Sequence, residues 1–297
     1  MTLVRDALDL LARLDDRADA LGDLSEREAA ALAEELALIV RGLQRAYYRD
    51  GDSLVGDTQY DQLFHALREI EEAHGLQTPD SPTHRVGGAP LDAFQKVEHP
   101  VPLLSLGNAF DGDDLRAWVE RVRKGLAAVL ADDEPVAFIA ELKIDGLALA
   151  LTYQDGVLER AATRGNGRVG ENVTSNVRTV RAIPLRLSGD PPSRVEVRGE
   201  AYMARSTFER LNERLAAAGD KALANPRNGA VGSLRQLDPS VTASRGLSFY
   251  AYGVGPVQGD MPDRQSETLE RLQSLGFPVG PERTVFEDVD ALVAFCQ

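Results

Sequence analysis

The sequence predicts an α+β protein: a small helical region followed by a larger region of mixed, mainly antiparallel sheets with flanking helices. Apolar residues recur at helical spacing through about residue 74. A connector rich in proline and glycine follows, and beyond it short β-prone runs come close together. Asp155-Gly156 separates two of these runs and is a strong signal for a tight hairpin. Hairpin-linked strands with occasional helices favour this class over a βαβ series.

Three helices are predicted in the N-terminal region. Leucine, alanine and valine repeat at helical spacing over residues 3–24. A second helix runs from Ser25 to about Tyr48, because Ser25 and the glutamate three residues later form a capping box. A third helix has Asp57 as its predicted N-cap and ends at Gly75.

Helices and strands alternate irregularly in the rest of the chain. We predict helices at about 113–130 and 206–218, and strands at about 136–142, 147–153, 157–163, 195–202 and 247–253. The predicted domain boundary gives a helical domain of residues 1–78 and a second domain of residues 79–297.

Composition limits the function classes. Apolar residues make up 43% of the chain, which supports a buried core. A net charge of −14 argues against a free-standing nucleic-acid clamp. No apolar run is long enough for a membrane span, and we find no signal peptide. Cys296 is the single cysteine, which excludes an internal disulfide and favours the cytoplasm. The four histidines and Cys296 lack the spacing of a zinc site.

The first candidate motif runs from Glu141 to Gly146. A lysine amine is a nucleophile in its neutral form, which burial or nearby cations favour. Alternation along a strand would place Glu141, Lys143 and Asp145 on one face. Only four of the 33 basic residues are lysines, so a lysine inside a motif is informative. The alternative is an ordinary hairpin with an exposed charged face.

Residues 161–170 contain a G-x-G-x-x-G pattern, the fingerprint of dinucleotide binding. That fingerprint opens a helix within a βαβ unit, whereas here a hairpin precedes it and no clear crossover helix follows. A loop with a phosphate- or ribose-binding Arg164 is therefore favoured over a Rossmann site. A plain glycine turn is the alternative.

Two further motifs suit a nucleotide. Glu200 closes a predicted strand and can accept a hydrogen bond from a ribose hydroxyl, or it is a simple edge-strand acid. Arg227 and Arg235 lie among small residues in 225–236, where guanidinium forks and backbone N–H groups suit phosphate. The alternative there is a solvated loop.

The last candidate lies in the helical region, where aromatic residues stand beside carboxylates. This combination suits a cationic ring, and the alternative is core tyrosines plus a capped helix. The residues are Tyr47, Tyr48, Asp57, Tyr60 and Asp61.

Lys143-Ile144-Asp145-Gly146 resembles the K-x-D-G motif of covalent nucleotidyltransferases, the superfamily of DNA ligases, RNA ligases and mRNA capping enzymes. The flanking sequence resembles that of the bacterial NAD-dependent DNA ligases over about residues 40–297. The Tyr47-to-Asp61 module separates these ligases from their ATP-dependent relatives. The other matching stretches are 80–87, 161–167, 174–185, 196–200, 225–238 and 252–255.

The resemblance implies that Lys143 attacks the α-phosphate of NAD, forming a lysine–AMP phosphoramidate and releasing nicotinamide mononucleotide. Asp145 would support this reaction. Glu141 would recognise the adenine edge, and Tyr252 would stack on the ring.

The same resemblance implies the remaining roles. Ser105 and Leu106 would line the adenine side of the pocket, and Arg164 and Glu200 would hold the ribose. The helical set (Tyr47, Tyr48, Asp57, Tyr60 and Asp61) would bind nicotinamide mononucleotide, and Arg227 and Arg235 would contact phosphate or nicked DNA.

The expected cofactors are NAD and magnesium or manganese, with zinc only in a later region that this sequence lacks. Nicked double-stranded DNA is the expected macromolecular partner of a monomer. The chain stops before two lysine-bearing strands of the family, so we expect a fragment that does not seal nicks alone. Two alternatives are a non-catalytic nucleotide-binding remnant and a Rossmann oxidoreductase that binds NAD reversibly.

Overall fold

The computed structural model describes residues 2–16, 20–47, 52–85, 92–129 and 136–296, and confirms the α+β prediction. Its α-helices are α1 Thr2–Asp15, α2 Glu26–Arg45, α3 Asp57–His74, α4 Gly112–Leu126, α5 Thr174–Arg178, α6 Arg205–Ala218, α7 Pro226–Leu234, α8 Pro239–Ala243, α9 Gln265–Ser274 and α10 Val289–Cys296. Its strands are β1 Lys96–Glu98, β2 Phe138–Glu141, β3 Leu147–Gln154, β4 Val157–Thr163, β5 Val169–Glu171, β6 Arg194–Tyr202, β7 Ser248–Gln258 and β8 Arg283–Phe286.

Helices α1, α2 and α3 pack around a core of their own. Leu10, Leu36, Leu63 and Leu67 are fully buried there, as the helical spacing of apolar residues predicts. The Ser25 capping box is confirmed, with the Glu28 carboxylate accepting the Ser25 backbone N–H at 3.1 Å.

Three details of the helical region differ from the prediction. The first helix ends at Asp15 instead of residue 24, because acids at its C-terminus oppose the helix dipole; Leu21–Asp23 forms a separate 3₁₀ turn. Gly56, not Asp57, is the N-cap of α3, and its N–H donates to the Gln59 side chain at 3.0 Å. Helix α2 ends at Arg45.

The larger region is built on a four-stranded antiparallel sheet in the order β4-β3-β6-β7. On β3, Leu149, Leu151 and Tyr153 are fully buried. The Tyr153 ring meets Phe277 edge to face, with ring centroids 5.6 Å apart, and its hydroxyl donates to the Pro184 carbonyl. Two small antiparallel sheets, β1-β5 and β2-β8, flank this core.

Most of the stretch 225–236 is a helix, Pro226–Leu234, rather than a loop. Asn225 caps helix α7 by accepting the Asn228 N–H at 2.7 Å, and Pro226 occupies the first helical position, where its missing N–H costs nothing. Its small residues Ala230 and Ser233 are buried, so they allow close packing.

Antiparallel pairing brings four chain segments together at one end of the main sheet, where strands begin or end. Strand β3 begins there, β4 and β6 end there, and β7 begins there. The predicted site residues that follow or close these strands therefore converge. No helix in the described ranges is long and apolar enough to cross a membrane.

Candidate active site

A cavity of about 1390 Å³ opens at this end of the main sheet. It is larger than the usual volume for a drug-sized ligand, which suits an extended molecule. Of the residues predicted from the sequence, it is lined by Leu106, Glu141, Lys143, Asp145, Arg164, Glu200, Arg227, Arg235 and Tyr252.

Lys143 lies in the loop between β2 and β3. The alternation argument for Glu141, Lys143 and Asp145 is wrong, because strand β2 ends at Glu141 and the next four residues are irregular. All three nevertheless line the cavity. The Asp145 carboxylate pairs with Arg227 at 3.1 Å, and both side chains are more than half exposed. An exposed pair stabilises the fold little, so its main effect is to orient these two groups.

Gly146 brings this loop against strand β6. Its backbone N–H donates to Glu200 Oε1 at 3.2 Å. A Cβ at this position would lie 2.1 Å from the carbonyl oxygen of Ala201, so only glycine permits the approach. Lys143 and Glu200 are thereby held on the same wall of the cavity.

Glu200 sits between Ala148 of β3 and Tyr250 of β7 in the sheet register. Burial raises the pKa of its carboxyl group above the ordinary value, and the charge on Lys143 is the largest opposing influence. A partly buried carboxylate that shares a cavity with a lysine is a common feature of functional sites.

The raised pKa of Glu200 gives a prediction for stability. The protonated Glu200 side chain contributes to the free energy of unfolding. This contribution is fully present below the ordinary pKa of 4.5, and it is lost as the pH rises through the pKa of the folded state. Glu200→Gln keeps an acceptor for the Gly146 N–H without the charge. We expect this variant to melt at a higher temperature than the wild type at pH 7, with the difference vanishing at about pH 4. A lower Tm at pH 7 would contradict it; Glu69→Gln, at an exposed site, is the control.

Arg164 directly follows β4, and its guanidinium donates to Ser105 Oγ at 2.7 Å. Its Nε is buried and has no hydrogen-bond partner among the described residues. An unpaired buried donor at a cavity wall is costly unless a ligand supplies the acceptor. Arg164 is thus equipped to bind a polar ligand, with Ser105 fixing its orientation.

The glycine pattern after Arg164 is a turn rather than a dinucleotide fingerprint. Gly165 and Gly167 have φ values of 55° and 91°, and strand β5 follows instead of a helix. The Leu103 N–H donates to the Gly167 carbonyl at 2.9 Å, which fixes the segment carrying Ser105. All pairings between named strands in the described ranges are antiparallel, so the Rossmann interpretation is wrong.

Tyr252 and Glu141 are joined by a residue that the sequence analysis missed. The Gln265 amide donates to the Tyr252 carbonyl oxygen at 2.7 Å and to Glu141 Oε1 at 3.2 Å. Burial, then the charge on Glu200, raises the pKa of Tyr252 to about 12, so its hydroxyl stays neutral. Gln265 begins helix α9 in a polar stretch without a motif, so only the tertiary structure reveals it.

Arg235 at the end of α7 is held by Glu171 of β5, with contacts of 2.7 and 2.8 Å. The Glu171 hydrogen bonds are the main reason that the pKa of Arg235 is raised. Arg227 and Arg235 therefore both reach the cavity from α7, each already paired with one carboxylate.

The described members of the helical set (Tyr47, Asp57, Tyr60 and Asp61) do not line this cavity. Tyr47 is 55% exposed, and Asp57 and Asp61 are exposed on α3. The Tyr60 hydroxyl accepts a hydrogen bond from Gln44 at 2.8 Å. Tyr48 lies outside the described residues. The role of this set stays a prediction.

Comparison with known proteins identifies the family. The NAD-dependent DNA ligase adenylation domain matches residues 91–297, and the DNA ligase-like, N-terminal NAD+-binding domain matches residues 26–87. The chain belongs to the NAD-dependent DNA ligase family. The first match contains the whole four-stranded sheet and the cavity, and the second contains α2 and α3.

The similar curated proteins are DNA ligases. The protein of Herpetosiphon aurantiacus is 50% identical over 93% of this chain and 41% of its own length. That of Chloroflexus aggregans is 51% identical over 89% of this chain and 40% of its own. The DNA ligase of Methylococcus capsulatus is 55% identical over 80% of this chain and 35% of its own length. The chain thus spans about two fifths of the length of the first DNA ligases it matches.

Proposed function

We propose that this chain performs the adenylation step of an NAD-dependent DNA ligase. The Lys143 amine attacks the α-phosphorus of NAD, and a nitrogen–phosphorus bond forms. The bond from that phosphorus to the bridging oxygen breaks, and nicotinamide mononucleotide leaves with the electron pair. The amine proton passes to solvent. The observation that carries this proposal is the placement of Lys143, Arg164, Glu200 and Tyr252 around one cavity.

The adenosine half of NAD is assigned to the walls next to Lys143. Glu141 accepts hydrogen bonds from the adenine edge, and Tyr252 stacks on the ring. Gln265 supports this assignment, since it holds the Glu141 carboxylate and the Tyr252 backbone together. The unpaired Arg164 Nε and the Glu200 carboxyl group would hold the ribose. Ser105 and Leu106 would complete the adenine side.

Phosphate binding is assigned to α7 and a divalent cation. Arg227 and Arg235 would contact phosphate of NAD or of nicked DNA. No three His, Cys, Asp or Glu side chains cluster as a metal site within the described ranges. Magnesium usually keeps waters and binds through substrate phosphates with one or two carboxylates, a role that Asp145 would serve at this cavity. When bound, it would neutralise charge developing on the phosphates.

The helical domain, residues 1–78, is assigned to the nicotinamide mononucleotide half, and residues 79–297 to adenylation. Support comes from the chemistry of this set: Asp57 and Asp61 are exposed carboxylates and Tyr47 is an exposed aromatic, residue types suited to a cationic ring. The combined variant Asp57→Asn and Asp61→Asn is expected to lower kcat/KM for NAD by roughly tenfold or more. The Tm should change little, because both side chains are exposed.

Adduct formation against NAD concentration measures this effect. Glu72→Gln is the matched control, since Glu72 is an exposed carboxylate on the same helix. An unchanged kcat/KM in the combined variant would show that Asp57 and Asp61 do not contribute to NAD recognition.

The proposal extends to nicked double-stranded DNA, whose 5′-phosphate would receive the AMP in the cytoplasm. We further propose that the chain is a monomer. Intact mass after incubation with NAD and magnesium tests the adenylation step, with ATP as the parallel sample. A mass gain of one AMP is expected in the sample with NAD and not in the sample with ATP. NAD binding without a mass gain would instead indicate a non-catalytic nucleotide-binding protein.

A further inference from the structure

Gln265, the first residue of α9, connects the two sheets that carry the walls of the active-site cavity. Its Nε2 atom donates to the Tyr252 carbonyl oxygen on β7 at 2.7 Å and to Glu141 Oε1 on β2 at 3.2 Å. Strand β7 belongs to the main sheet, and β2 belongs to the small β2-β8 sheet. Tyr252 and Glu141 both line the cavity, whereas Gln265 does not. One amide therefore fixes two parts of the cavity wall relative to each other.

The orientation of the Gln265 amide follows from its two partners. A backbone carbonyl and a carboxylate both accept hydrogen bonds and donate none. The amide nitrogen must therefore face them, and both of its hydrogens are used. Glu141 Oε1 is occupied by this contact, which leaves Oε2 for a ligand. Neither Gln265 nor Glu141 then has a donor to offer to a base.

Tyr252 occupies a β-bulge. The residues on either side of it pair with consecutive residues of β6, Arg198 and Gly199, so Tyr252 is the extra residue on β7. A bulged residue is left out of the regular ladder, and the Gln265 amide supplies a partner for its carbonyl oxygen. Bulges redirect side chains next to functional sites. The contact with Gln265 therefore also fixes the backbone that directs the Tyr252 ring.

Helix α9 holds the Gln265 backbone in place. Leu269 and Leu272 are fully buried in the main core, and the Thr268 hydroxyl donates to the Pro262 carbonyl oxygen at 2.9 Å. The Gln265 side chain itself is exposed. Its hydrogen bonds therefore orient their partners more than they stabilise the fold, since substitutions at exposed sites change stability little.

We propose that Gln265 is a positioning residue that sets the base selectivity of the active-site cavity. It holds the Glu141 carboxylate so that position 6 of a purine must carry a donor, as the amino group of adenine does. A 6-oxo purine such as hypoxanthine presents an acceptor to that carboxylate, which leaves both groups unpaired. This role rests on the proposed assignment of Glu141 to the adenine edge, to which it adds a discrimination between bases.

Calorimetric titration with NAD and with nicotinamide hypoxanthine dinucleotide tests this selectivity. The Lys143→Arg background makes the result independent of AMP transfer. In that background, NAD is expected to bind roughly 100-fold more tightly than the hypoxanthine analogue. Gln265→Met is similar in size but has no donor, and should reduce the ratio of the two dissociation constants by about tenfold. Gln258→Met, at an exposed glutamine that ends β7, is the control and should leave the ratio unchanged.

Glu141→Gln separates positioning from a general structural effect. Because Gln265 acts on selectivity through Glu141, Gln265→Met should lower the ratio no further once Glu141→Gln is present. The Tm of Gln265→Met should stay close to that of its parent. An unchanged ratio in Gln265→Met, or an equal loss with and without Glu141→Gln, would overturn the proposal. If the ratio changed as expected while the wild type formed no AMP adduct, base selection by Gln265 would stand and the adenylation proposal would fail.

Discussion

Lys143→Arg is expected to abolish covalent AMP transfer from NAD, lowering the rate by at least about 1000-fold. Arginine keeps the positive charge next to Glu200, but its guanidinium is always protonated and is not a nucleophile. Charge and ligand binding therefore change little, while the attacking atom is lost. Transfer of label from adenine-labelled NAD to the protein, separated on a denaturing gel, measures the rate.

Lys96→Arg is the matched control for this experiment. Lys96 lines the same cavity but precedes the main sheet on strand β1. Its replacement should leave labelling within about threefold of the wild type. If labelling survived in Lys143→Arg and disappeared in Lys96→Arg, Lys96 would be the nucleophile instead of Lys143.

Gly146→Ala is expected to impair both folding stability and adenylation. The added methyl group would lie 2.1 Å from the Ala201 carbonyl oxygen, so strand β6 or the Lys143 loop must move. Overpacking of this kind costs about 1–3 kcal/mol of unfolding free energy. The movement would also break the Gly146–Glu200 hydrogen bond and displace the nucleophile. Denaturant unfolding and label transfer measure the two effects.

Gly232→Ala is the contrasting substitution. Gly232 lies on the exposed side of α7, and a Cβ there meets no atom within 4 Å. Alanine should raise the unfolding free energy by up to about 1 kcal/mol through helix propensity. If Gly146→Ala proved as harmless as Gly232→Ala, the close approach of the Lys143 loop to β6 would be wrong.

Short-range signals account for the parts of the fold that the sequence predicted well. Asp155 and Gly156 both adopt positive φ, at 48° and 76°, as the hairpin between β3 and β4 requires. Strand β4 occupies the predicted residues 157–163. The pairing order β4-β3-β6-β7 depends on contacts between residues far apart in the chain, and no local pattern encodes it.

The site shows the same division. Residues such as Lys143 and Glu200 were assigned because the sequence around them resembles that of a known family, whereas each motif alone left an ordinary structural alternative open. Their approach depends on Gly146 meeting strand β6, which alternation along a strand failed to describe. Gln265 carries no sequence signal, because an amide at the start of a polar helix is ordinary until Glu141 and Tyr252 stand beside it. Helix α7 was missed because its glycines lower helix propensity while its packing and Asn225 cap restore it.

The most direct test of the central claim is to locate the AMP on the protein. The chain is incubated with NAD and magnesium, digested, and analysed by tandem mass spectrometry under conditions that preserve a phosphoramidate. The account predicts one AMP on the peptide carrying Lys143, with one equivalent of nicotinamide mononucleotide released. AMP on Lys96 or any other residue, or release of nicotinamide mononucleotide without a protein adduct, would contradict it.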